Sequence, residues 1–197
     1  MSRLVAGRSL GAWSSRTVCA VGACALAMAI RLYRLGAESL WYDETVSAHL
    51  ASLQSRALIA HTALDIHPPG YYLLLRLWSQ LAGDSEFALA FLSLMAGVLL
   101  VAGVHRLTRS IAGPSAGSLA GVLTALSAYS VWYSQEVRMY TVAALLLLGL
   151  AAATMQIVSG DSRPLWAAVW AILAAAALYT LYYSLFLLPA LSLAWLL

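Results

Sequence analysis

Asp43 and Glu44 stand side by side in Leu40-Trp41-Tyr42-Asp43-Glu44-Thr45, within a chain of 197 residues that has only eight acidic positions. Charge beside hydrocarbon is costly, so a pair there needs a reason. Two reasons fit. Asp43 as N-cap and Glu44 in the first turn would open a helix, both favoured by its dipole. Alternatively, a carboxylate in this place serves as a general base, removing a proton from a hydroxyl group as that hydroxyl attacks an electrophile. Two further polar clusters follow, Asp65-Ile66-His67-Pro68-Pro69 and Gln135-Glu136-Val137-Arg138, with Tyr71, Tyr72 and Tyr140 next to them.

The elements that must hold these residues are membrane helices. The chain is 62% hydrophobic and 10% charged, whereas soluble domains carry about 25% charged residues. All eleven basic residues are Arg, and the net charge of +3 is scattered, which argues against a nucleic-acid partner. Cys19 and Cys24 lie in the first apolar stretch and read as small apolar residues. His49, His61 and His105 are not spaced as a metal site, and no metal ligand set is expected. The fold class is therefore all-α, a polytopic transmembrane helical bundle forming a single domain over 1–197.

Apolar runs predict spans at 17–30, 87–104, 117–133, 141–158 and 165–183. A signal peptide competes for the first run, with Ala25-Leu26-Ala27 as a cleavage-like site. An uncleaved span is favoured because Arg31 and Arg34 can snorkel at its far end. Between the first two spans, Val46, Leu50, Leu53 and Ala57 recur every three or four residues. That pattern predicts one amphipathic helix from Glu44 to His61, lying on the membrane. Tyr71–Ala82 is too short to cross and reads as interfacial. Arg3, Arg8 and Arg16 put the N-terminus in the cytoplasm, and Arg106, Arg109 and Arg163 then fall inside as well. In that topology all three polar clusters share the outer face, as an active site requires.

The succession Trp41-Tyr42-Asp43-Glu44, His67-Pro68-Pro69-Gly70-Tyr71-Tyr72 and Tyr133-Ser134-Gln135-Glu136-Val137-Arg138-Met139-Tyr140 resembles the bacterial family 39 glycosyltransferases. These belong with the protein O-mannosyltransferases and aminoarabinose transferases of the GT-C membrane superfamily. The resemblance covers about residues 28–185. It implies inverting transfer of a sugar from a polyprenyl-phosphate donor to a protein, lipid or glycan acceptor at the outer face of a bacterial plasma membrane. Asp43 matches the family's general base, with Glu44 beside it. The departing lipid phosphate needs cations or donors, for which the resemblance offers Arg138, His67, Arg34 and Arg31. Glu136, Tyr71 and Tyr140 complete the expected donor site, and Tyr72 is a further ring for stacking. The resemblance leaves metal dependence open. Many relatives carry His where this chain has Leu181.

Each residue also has a plainer reading. Arg31 and Arg34 serve equally as lipid anchors, His67 as a loop residue, and Tyr133 and Tyr140 as an aromatic belt. A transporter or lipid flippase is the rival function, but it would place its charges near the bilayer midplane and often show a repeat. A scaffold would need no acidic pair. The last apolar run, 184–197, stops short of a span, which predicts a longer protein of which this is the N-terminal part.

Overall fold

Apolar periodicity without β-branched alternation makes helices, and the computed structural model, which describes residues 15–160 and 163–193, consists of them. They are α1 (Ser15–Leu32), α2 (Tyr42–Ser52), α3 (Ser55–Thr62), α4 (Gly70–Ala82), α5 (Glu86–Leu126), α6 (Ala128–Gln135), α7 (Tyr140–Val158), α8 (Pro164–Thr180) and α9 (Leu187–Leu193), with a 3₁₀ turn at Tyr182–Phe186. Helices α5 and α7 are long and apolar enough to cross a membrane, and α1 and α8 are shorter apolar helices. The architecture is a helical membrane bundle, as the composition predicts. Arg3, Arg8 and the side chain of Arg16, on which the predicted N-terminal orientation rests, lie outside the described residues, as do 161–162 and 194–197.

Helix α5 is two arms. Gly113 adopts φ 87°, ψ 177° and Pro114 follows it, so the chain reverses there. Only glycine takes that φ without strain, and proline cannot continue the hydrogen-bond ladder. The arms pack so closely that a Cβ on Gly117 would lie 2.6 Å from the Cβ of Arg109 and 2.8 Å from the carbonyl of His105. The reversal falls between the predicted spans 87–104 and 117–133. The second span, however, is not continuous. It breaks at Ser127 (φ −60°, ψ 116°), where the α5 arm gives way to α6.

The break explains a second departure. Arg31 does not snorkel; it is wholly buried. Its Nη1 and Nη2 donate to the carbonyls of Ala125 (3.1 Å) and Thr124 (3.4 Å), which the break at Ser127 leaves without helical partners. The same guanidinium bonds Ser130 Oγ at 2.8 Å and Ser134 Oγ at 3.0 Å. Arg31 is thus a cap supplied from another helix, which satisfies groups that would otherwise be buried unpaired.

The segment between α1 and α4 also differs from its prediction. The stretch from Glu44 to His61 is two helices, parted where Leu53 (ψ 156°) and Gln54 (ψ 146°) are extended. Arg76 of α4 donates to the carbonyls of Ala51 (3.2 Å) and Ser52 (3.4 Å), taking the place of the next helical turn. Leu50 still points inward and Arg56 outward, whereas Ala57 is exposed and Leu58 is buried instead, because the break shifts the register of the inward face. Helix α4 has 13 residues, fewer than a span needs; it lies against α2 and α5 and buries Tyr71, Tyr72 and Leu75. These residues share a core with Leu94, Val137 and Met139. That core sits beneath the segments that carry the polar clusters.

Candidate active site

Trp41, not Asp43, is the N-cap of α2, with extended φ −79°, ψ 174°. Glu44 is therefore at the third helical position, and its Oε2 reaches back to accept the Trp41 N–H at 3.2 Å. Its Oε1 accepts the Val137 N–H at 2.7 Å. Glu44 is 7% exposed and both oxygens are engaged by backbone. It ties the start of α2 to the segment between α6 and α7. One residue earlier, about 100° around the helix, the Asp43 carboxylate is free of capping and keeps 40% of its side chain exposed.

The residue facing Asp43 is Arg138. Its Nη2 lies 3.6 Å from Asp43 Oδ2, and its Nη1 donates to the Asp43 carbonyl at 3.3 Å. The side chain of Arg138 is only 4% exposed. Buried Val137 and Met139 flank it, and Ser93 Oγ donates to its carbonyl at 3.3 Å, so the backbone is fixed on both sides. Arg138 Nη2 also approaches the Tyr140 hydroxyl at 3.5 Å, and the guanidinium carbon is 5.6 Å from the centre of that ring. Tyr140 is held in turn by Tyr133, edge to face at 4.7 Å. Burial works against the charge of Arg138, but Tyr140, Tyr72 and Asp43 outweigh it and the pKa is raised. Arg138 is a permanent cation.

His67 belongs to the same cluster. Its Nδ1 is 3.9 Å from Asp65 Oδ1. Burial, then the nearby Arg138 charge, lowers its pKa, with Asp65 and Asp43 pulling the other way. The imidazole is accordingly neutral near pH 7, able to donate one hydrogen bond and accept one. Burial pushes the Tyr72 hydroxyl up to about 12, and that of Tyr71 higher still. Both phenols stay protonated. Tyr71 is 0% exposed and Tyr72 1% exposed, their rings edge on at 5.7 Å, so they form the floor of the cluster and offer no face to a sugar.

Glu136 receives the indole N–H of Trp132. Its Oε2 is buried with no hydrogen-bond partner. Burial raises its pKa, the Trp132 bond and then Arg138 oppose that, and Glu44 and Asp43 add to it. Arg34 lies with Glu136, Glu44 and Tyr140 around a cavity of about 810 Å3, and pairs at 3.5 Å with Glu38. The structure thus brings Asp43, His67, Arg138 and Tyr140 together, and sets Glu136 and Arg34 on the adjoining cavity. Sequence reasoning missed the clamping role of Glu44, though Trp-Tyr-Asp-Glu carries its signal: an acid three residues after an extended cap. Among the described residues no group of three or more His, Cys, Asp or Glu side chains could hold a metal ion.

A half-exposed carboxylate, a buried guanidinium and a neutral imidazole, gathered where helices of a membrane bundle begin and end, define a membrane protein with a polar site at its helix termini. More narrowly, the chain belongs to the dolichyl-phosphate-mannose-protein mannosyltransferase family, whose model matches residues 66–197. The matched region includes His67, Glu136, Arg138 and Tyr140, and begins after Asp43 and Glu44. The resemblance to protein mannosyltransferases read from the motifs is thereby borne out. No curated protein and no solved structure matches the chain.

Proposed function

We propose that this mannosyltransferase-family protein moves a sugar from a polyprenyl-phosphate carrier to an acceptor hydroxyl at the outer face of a bacterial plasma membrane, with inversion, and that Asp43 is the general base. The observation that carries the reading is the Asp43–Arg138 pair, in which the carboxylate is 40% exposed and its partner 4% exposed. A carboxylate held beside a fixed cation, yet open to ligand, is suited to take a proton. The acceptor oxygen attacks the anomeric carbon as Asp43 removes its proton. The bond from that carbon to the phosphate oxygen breaks, and the electron pair leaves with the lipid phosphate. Negative charge beside the sugar stabilises an oxocarbenium-like transition state. His67, neutral and part-exposed, can donate to the departing phosphate. Arg138 supplies positive potential there without itself reaching solvent.

The test is Asp43→Asn, assayed by sugar transfer from a polyprenyl-phosphate donor in membranes carrying the protein. Because Trp41 is the cap, Asn costs the helix nothing as a cap residue. The rate should fall by about 10²–10⁴-fold, while donor binding changes little. Unaltered turnover would end the assignment of Asp43 as base.

A further inference from the structure

The cavity of about 810 Å3 lined by Glu44, Glu136 and Tyr140 is not used by the chemistry above. Its volume is that of a ligand site rather than a packing defect. Aromatic rings wall it: Tyr33, Trp41, Trp132, Tyr133 and Tyr140. Among the described residues the charged groups lining it are Glu38, Glu44, Glu86 and Glu136, with Arg34 as the cation. Two of these acids are already answered. Arg34 lies 3.5 Å from Glu38, and Glu44 accepts two backbone N–H groups. Neither Glu86 nor Glu136 forms an ion pair among the described residues. Glu136 Oε2 is buried without a donor.

Such a surface repels phosphate, so the lipid-phosphate carrier is not its occupant. Rings with carboxylates between them attract a cation twice over, through the ring quadrupole and through charge-assisted hydrogen bonds. The cavity adjoins the Asp43 cluster through Tyr140. Asp43, His67 and Arg138 do not line it, but Tyr140, which does, lies 3.5 Å from Arg138 Nη2. An acceptor with its hydroxyl at Asp43 would place a neighbouring side chain here. The matched family acts on protein. We infer that the cavity is an acceptor subsite that selects a peptide carrying a basic side chain beside the hydroxyl residue, an inference that rests on the transferase reading above.

The test uses the protein in phosphatidylcholine nanodiscs, which carry no net charge. Three acetylated, amidated peptides are compared: Lys-Ser-Lys, Gln-Ser-Gln and Glu-Ser-Glu. Binding is read from tryptophan fluorescence, to which Trp41 and Trp132 contribute, and transfer is read separately. Lys-Ser-Lys should bind about tenfold tighter than Gln-Ser-Gln, with Glu-Ser-Glu weakest. The preference should shrink as salt rises from about 20 to about 500 mM. Glu86→Gln with Glu136→Gln, which preserves side-chain shape, should reduce it to about twofold or less. Equal binding of the Lys and Gln peptides, no binding of the Lys peptide, or a preference untouched by salt or by the double variant overturns the inference. Selective binding without transfer to any peptide supports the subsite and counts against the transferase reading instead.

Discussion

Arg31→Met asks whether the broken span is held by the buried guanidinium. Arg31 makes five hydrogen bonds, to Ser134 Oγ, Ser130 Oγ and the carbonyls of Ala27, Ala125 and Thr124, at 2.8–3.4 Å. Met keeps the length and apolar stem but offers no donor. The two serine hydroxyls can rotate to new partners, whereas the Thr124 and Ala125 carbonyls are stranded by the break at Ser127. In membranes a side-chain hydrogen bond contributes on average only about 0.6 kcal/mol. The five together then contribute on the order of 3 kcal/mol. Removing the buried charge returns part of this, because its desolvation is no longer incurred. A net loss of about 2 kcal/mol follows, which for a chain of this size lowers Tm by about 4–8 °C. The assay is thermal loss of helical circular dichroism in one detergent, wild type against variant. Arg31→Lys should lose nearly as much, since three donors on one nitrogen cannot span carbonyls on two helices. An Arg31→Met protein that melts at or above the wild-type temperature would refute the capping argument and leave Arg31 as a tolerated buried charge.

Glu44→Gln should destabilise more than Asp43→Asn, because one of the two backbone N–H groups it serves would face an amide NH2. A loss of about 1–3 kcal/mol is expected, read as Tm, and an unchanged Tm would show that the clamp is dispensable. Gly70→Ala should also lower Tm, since the added Cβ would lie 2.4 Å from the Tyr179 carbonyl and force α4 away from the end of α8. His67 sits on the segment leading into α4, so transfer should fall along with stability. Reporters fused after Arg109 and after Glu136 should lie in the cytoplasm and outside respectively; the opposite pattern would remove the polar cluster from the outer face.

Composition and periodicity determined the helical membrane bundle, because apolar runs of span length have few other solutions. The Gly113-Pro114 reversal was legible for the same reason, being set by the backbone limits of two residues. The short α4 was legible from its length. Motif order further marked Asp43, His67, Arg138 and Tyr140 as candidates, and the structure gathers them. What the sequence left open was which of two adjacent acids remains free. That depends on the Val137 N–H, 93 positions away, reaching Glu44 rather than Asp43. It also left open whether Arg31 faces lipid or protein. The answer lies in carbonyls that become unpaired only because the span breaks at Ser127. Charge and spacing are properties of the chain. The partner that claims a charge, by contrast, is set by long-range packing, since a buried polar group bonds whatever unpaired group the tertiary fold brings within about 3 Å.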